Sequence, residues 1–191
     1  KLIIILSRLH GKIECYPRFS SDLTSMWPGM IIKFNSEKRG RKFILHNSDK
    51  EFFPEKINLK KLEWIHYILN VSSNFLQFED PSSEVFDFLK NLLFILDKTN
   101  NELSKVAKCS SLVHLLSLFG FGVGEHGHKF SEFFFLVTTG VVDHEEQGRV
   151  EFATEIEREL ATLLPFARRH VLEALSVHPR LVGQRIIGFD E

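Results

Sequence analysis

Two hydrophobic rhythms divide the chain. Up to about residue 53 apolar and polar positions alternate in short runs, and beyond it the apolar residues recur every three or four positions. Lys1–Leu6 is a β-branched and leucine run that predicts a buried strand. Ser7–Gly11 interrupts it, and Lys12-Ile13-Glu14-Cys15-Tyr16 resumes the alternation with Ile13 and Cys15 on one side. The two runs predict a hairpin whose turn carries Arg8, His10 and Lys12. Trp27-Pro28-Gly29 reads as a turn. Strands at Met30–Phe34 and Lys42–His46 follow, joined by Asn35–Arg41, a flexible and strongly basic loop. Phe52-Phe53-Pro54-Glu55 closes the segment, because the residue before a proline is pushed out of the helical region. Short strands at roughly ten-residue spacing, punctuated by Gly, Pro and Asn, are the pattern of a small barrel.

From Asn58 the period becomes helical. Asn58 caps a helix carrying Leu59, Leu62, Ile65, Ile68, Leu69 and Phe75, with Trp64 beside the stripe. Asp80 caps a second, with Pro81 at its first position and Val85, Phe86, Leu89, Leu92, Leu93 and Leu96 on its apolar face. Glu102–Phe119 is a third, ended by Gly120 and the glycine-rich loop after it. Phe133–Val137 is apolar throughout and fits a buried strand and a short helix equally. A fourth helix is expected over Val150–Leu164 and a fifth over Pro165–Val177, stopped by His178-Pro179. The expected architecture is α+β: a small N-terminal β-barrel over residues 1–55, then a larger all-helical domain over 56–191.

Composition narrows the class. With 43% hydrophobic residues the 191-residue chain can bury a core, and 19 Phe against two Tyr and two Trp means that much of the Phe lies inside. Cys15 and Cys109 fit no C-x-x-C pattern, which points to a reducing cytoplasm. No stretch approaches the roughly 18 apolar residues of a membrane span, so no membrane partner is expected. The chain begins inside a strand and without Met, the pattern of a sequence that lacks an N-terminal piece.

Charge adds a partner. Residues 1–50 hold ten Lys/Arg against four Asp/Glu, a net of +6 in a chain whose total is −1. That asymmetry suggests a polyanion bound by the first segment. Arg8, Lys12, Lys33, Lys38, Arg39, Arg41 and Lys42 on a curved β surface would track phosphates, with Tyr16, Phe34 or Phe43 available to stack bases. An isolated basic run reads as a solvated hairpin loop. Set in a small barrel opposite an acidic remainder, this one reads as a nucleic-acid face, while each aromatic taken singly reads as core.

Nothing amounts to an enzyme. Ser7 and His10 lack a nucleophile elbow, and Gly120-Phe121-Gly122-Val123-Gly124 lacks the G-K-[ST] ending of a phosphate cradle. Cys109 and His114 sit in an apolar helix run and read as packing. His126-Gly127-His128 with Asp143-His144-Glu145-Glu146 has no recognised metal-ligand spacing and reads as an exposed loop, so no metal or cofactor is expected. A metal-dependent hydrolase on that loop is the weakest of the alternatives. A helical adaptor that binds protein alone is the stronger one.

The opening strand with Leu6-Ser7-Arg8 and Gly11-Lys12-Ile13 resembles the bacterial recombination mediator RecO family. The change to helix after Phe53-Pro54, Leu115-Leu116-Ser117-Leu118-Phe119-Gly120-Phe121 and the late His178-Pro179 extend the likeness over nearly the whole chain. The resemblance implies an oligonucleotide-binding (OB) fold over residues 1–53, with its first strand lying before Lys1, and a helical domain that contacts partner proteins. It implies a non-enzymatic mediator of DNA repair in the bacterial cytoplasm, associated with the nucleoid. Single-stranded DNA would be bound, with double-stranded DNA left open, and the mediator would promote annealing and recombinase loading. The implied protein partners are a RecR-like clamp protein and the acidic, Phe-ending tail of single-stranded DNA-binding protein. Leu115, Leu118 and Phe119 beside Arg168 and Arg169 would supply an apolar pocket with a basic rim. Many relatives carry a four-cysteine zinc site after the third helix. Here the region has His126 and His128 but no cysteines, and zinc is not carried over.

Overall fold

The computed structural model describes residues 2–18, 26–40, 42–53, 55, 57–98, 103–122, 128–134, 147–177 and 179–181. They form two compact units, Lys1–Lys98 and Thr99–Glu191. The change of secondary-structure type near residue 55 is therefore not the spatial division, because two helices group with the sheet.

The first unit opens with β1 (Ile3–Ser7) and β2 (Gly11–Pro17), the expected hairpin, in antiparallel register from Ile3 opposite Cys15 to Ser7 opposite Gly11. Ser7 Oγ accepts from the backbone N–H groups of Leu9 and His10 at 3.3 and 3.2 Å, which folds the three-residue turn. Two longer strands follow, β3 (Ile31–Arg39) and β4 (Lys42–Phe52), paired antiparallel. Asn35–Arg39 is strand, not the flexible loop expected from its composition. Polar side chains do not forbid a strand whose outer face is wet, and the cross-strand ladder satisfies its backbone. β4 also pairs parallel with β2, giving the sheet order β1-β2-β4-β3. Among the described residues the sheet is open, with β1 and β3 as its edges, so a closed barrel is not what these four strands make.

The inner face is packed by Ile13, Cys15 and Phe43, against which Ile5 and Phe34 rest. Helix α1 (Leu59–Phe75) starts as expected at Asn58, whose side chain accepts from the Lys61 N–H at 2.9 Å. Its buried stripe runs through Trp64, Ile65, Ile68 and Val71, whereas Leu59 is exposed. Helix α2 (Ser83–Lys98) begins three residues later than Asp80. The Ser82 carbonyl accepts its first helical N–H, from Phe86, so Asp80 and Pro81 belong to the approach and not to the helix. Phe52 at the end of β4 meets Phe94 of α2 edge-on, 4.5 Å between centroids, which ties helix to sheet.

The second unit holds α3 (Lys105–Leu118), capped by Ser104, a short helical segment over residues 128–134, and α4 (Gln147–Ser176). α3 ends in a Schellman arrangement: the Gly120 N–H donates to the Ser117 carbonyl and the Phe121 N–H to that of Leu116. Phe130, Phe133 and Phe134 are buried at helical spacing, which resolves that apolar run as helix up to residue 134. The two helices expected to meet at Pro165 are one, α4, with Pro165 inside it. Proline removes one hydrogen bond. Burial of Leu160, Ala167, Val171 and Leu175 on both sides of it holds the helix through the gap. Among the described residues no helix is long and apolar enough to cross a membrane.

Candidate nucleic-acid interface

The register of β3 on β4 sorts the basic residues onto two faces. Lys38 stands opposite Phe43 and Ser36 opposite Leu45, so Phe34, Ser36 and Lys38 share the inner face. Lys33, Asn35, Glu37 and Arg39 project from the outer face, joined there by Lys42 and Ile44 of β4 and by Tyr16 of β2, the neighbour of Ile44. A register shift between Asn35 and Ser36 leaves His46 as an extra residue of β4, the mark of a β-bulge.

On the outer face Arg39 grips Glu37, Nε to Oε1 at 3.0 Å and Nη2 to Oε2 at 3.2 Å. His46 Nε2 lies 3.4 Å from the same carboxylate. The Arg39 hydrogen bonds and charge, with a smaller contribution from His46, hold the Glu37 carboxyl below the usual carboxylate range and keep it ionised. Lys42 Nζ sits 4.8 Å above the Tyr16 ring. Neither Lys33 nor Lys42 makes an ion pair among the described residues. A ridge with two open ammonium groups, a tethered guanidinium and a half-buried tyrosine can engage phosphate oxygens without reading bases.

The other basic residues are engaged elsewhere. Arg8 pairs with Asp87 of α2 at 2.9 Å. Lys12 Nζ donates to the Ser73 carbonyl at the end of α1 and lies 4.2 Å from the centroid of Phe78. Lys38 pairs with the Glu79 carboxylate, and its Nζ is 5.5 Å from the centroid of Phe43. Arg41 lies outside the described residues. The patch expected to be continuous is thus divided: Lys33, Arg39 and Lys42 on the outer face, Arg8, Lys12 and Lys38 around the hairpin and the α1–α2 connection.

Of the aromatics proposed for stacking, Phe43 is 6% exposed and Phe34 packs on the core, which leaves Tyr16. Among the described residues the exposed Trp and Phe rings of this unit are Trp27, Phe53 and Phe78. Sequence pattern offers no signal for them, since Phe78 gains its place only by bridging to Lys12 across 66 positions of chain.

In the second unit Leu115 is fully buried and serves the core. Leu118 and Phe119 are half-buried at the end of α3, and Arg168 and Arg169 are exposed on α4 beside exposed Phe166. His114 stacks on Phe134 at 5.2 Å, and burial lowers its pKa from the usual histidine value. Both cysteines are buried free thiols; burial pushes Cys15 up to about 11 and Cys109 higher still. His126 and Asp143-His144-Glu145-Glu146 lie outside the described residues, and no group of three metal-ligating side chains occurs among those described.

Residues 58–178, more than half of the chain, match the protein-family model described as Recombination protein O C terminal. No curated protein matches the chain.

Proposed function

The chain belongs to the recombination protein O family, which gives it a role in DNA recombination and repair, and from that premise we propose that it is a non-enzymatic mediator that holds single-stranded DNA on the outer face of its sheet. The observation that carries the reading is the ridge of Lys33, Arg39 and Lys42 on that face, in a segment whose net charge is opposite to that of the remainder. Cations spaced along a strand hairpin neutralise a phosphate backbone whatever its sequence. Lowering the charge of two strands at once reduces their repulsion, which is sufficient physical reason for annealing without chemistry.

In this reading the sheet is the greater part of an OB fold, with residues 1–55 as the nucleic-acid-binding part. The helical part would recruit the clamp partner and the acidic tail of single-stranded DNA-binding protein. Arg168, Arg169 and the exposed Phe166 beside them supply the basic and apolar groups that such a tail would need, together with Leu118 and Phe119 at the end of α3.

Fluorescence anisotropy of a labelled single-stranded oligonucleotide, titrated at several salt concentrations, tests the proposal. Changing Lys33, Arg39 and Lys42 together to Ala should weaken binding and flatten the log–log salt slope by about 0.7 for each phosphate that is no longer neutralised. A folded wild-type chain that binds no oligonucleotide at low salt would overturn the reading and leave the protein-only adaptor.

A further inference from the structure

After α1 the chain does not run freely to α2. The Leu76 N–H donates to the Ser72 carbonyl at 2.9 Å and closes the helix. Phe78 then forms a parallel bridge with Lys12, and the Glu79 N–H donates to the Lys12 carbonyl at 2.9 Å. Glu79 takes a φ of 58°, a left-handed conformation that a non-glycine residue keeps only where the surroundings impose it. The backbone therefore holds Phe78 in place, yet its side chain is left 51% exposed.

A cation lies against that ring. Lys12 Nζ stands over it at 4.2 Å. The next residue, Glu79, carries the Lys38 ammonium, which also stands over Phe43, and the His10 ring lies 5.8 Å from Phe43. One exposed aromatic thus has an ammonium group over it, and its chain neighbour Glu79 carries a second. An apolar protein partner would meet this ring against the desolvation of the ammonium group over it. An unpaired nucleotide brings a π face and flanking phosphates, which match both features at once.

We propose that Phe78 is a base-stacking residue of the nucleic-acid face, with the Lys12 ammonium at the same ring. The inference rests on the single-strand-binding reading given above and adds to it a contact on the α1–α2 connection, away from the outer ridge. Stacking on a phenyl ring is tolerant of base identity, so the site adds affinity and not sequence preference.

The test compares wild type with Phe78→Ala, Phe78→Leu and Phe78→Trp on a labelled oligothymidylate and on an abasic strand of the same length, at one fixed salt concentration. Phe78→Ala and Phe78→Leu should each weaken oligothymidylate binding about tenfold, while Phe78→Trp retains it and adds fluorescence that is quenched on binding. On the abasic strand all four proteins should bind alike. Thermal melting confirms that each variant is folded, and Phe78→Leu keeps the apolar bulk against Lys12. Wild-type affinity in Phe78→Ala or Phe78→Leu overturns the inference alone, as does an equal loss on the abasic strand. A wild type that binds neither strand overturns the single-strand reading and this inference with it.

Discussion

A Cβ atom on Gly11 would stand 2.1 Å from the carbonyl oxygen of Asp80, and 2.8 Å from its nitrogen. Gly11 ends the β1–β2 turn with φ +66°, and Asp80 lies in the connection that carries Phe78 and Glu79. The two backbones interlock where no side chain fits. This close approach fixes the hairpin against the helical connection and thereby sets the spacing of Lys12 from Phe78.

Replacing Gly11 by Ala should therefore destabilise the first unit by at least about 2–3 kcal/mol, summing left-handed strain and a clash that only backbone movement relieves. Urea unfolding measures it. An unchanged midpoint would show that the two backbones are not in contact.

Glu37 competes with phosphate for Arg39 and His46. Glu37→Gln should raise oligonucleotide affinity, by no more than about fivefold because exposed ion pairs are weak, and steepen the salt dependence. Because its carboxyl is held below the usual range, the pair should persist when the pH is lowered to about 5, and the Gln variant should still bind more tightly than wild type there. Anisotropy titrations of both proteins at two pH values decide the matter.

His114 gives the second unit an acid-sensitive element. Burial lowers its folded-state pKa, so near and below the unfolded value of about 6.5 the unfolded chain binds the extra proton. Its contribution is fully present above that value and is lost as the pH falls towards the folded pKa. His114→Leu should flatten that part of the stability profile between about pH 7 and 5, read as the difference between two urea-unfolding series. Parallel profiles would remove His114 as the cause.

The thiols should be silent in the native state. Cys15 and Cys109 are both fully buried, and burial disfavours the thiolate, the only nucleophilic form. A disulfide-exchange reagent at pH 8 should label neither within minutes under native conditions and both in denaturant. Rapid native labelling of one thiol would show that its surroundings open.

Local chemistry was readable from one stretch of chain at a time. Asn58 as a cap, Gly120 as a helix stop, the β1–β2 hairpin and the apolar face of α2 each depend on residues within a turn or two of one another. The boundary at Pro165 misled because proline's local penalty is real, but burial on both sides outweighs one missing hydrogen bond.

By itself, the sequence determined the α+β class, the strand-to-helix transition and which segment is basic, since composition and period need no partner. The family likeness was carried by short local motifs as well. Only the tertiary structure decided that Asn35–Arg39 is strand, that Lys33 and Lys38 project from opposite faces, and that Arg8 and Lys38 meet Asp87 and Glu79. Only the tertiary structure also left Phe78 exposed beside Lys12. The reason is physical: which face a strand residue occupies follows from register and bulges on a partner strand, and which charge it meets follows from elements tens of residues away. Neither is written in the spacing of the residues themselves.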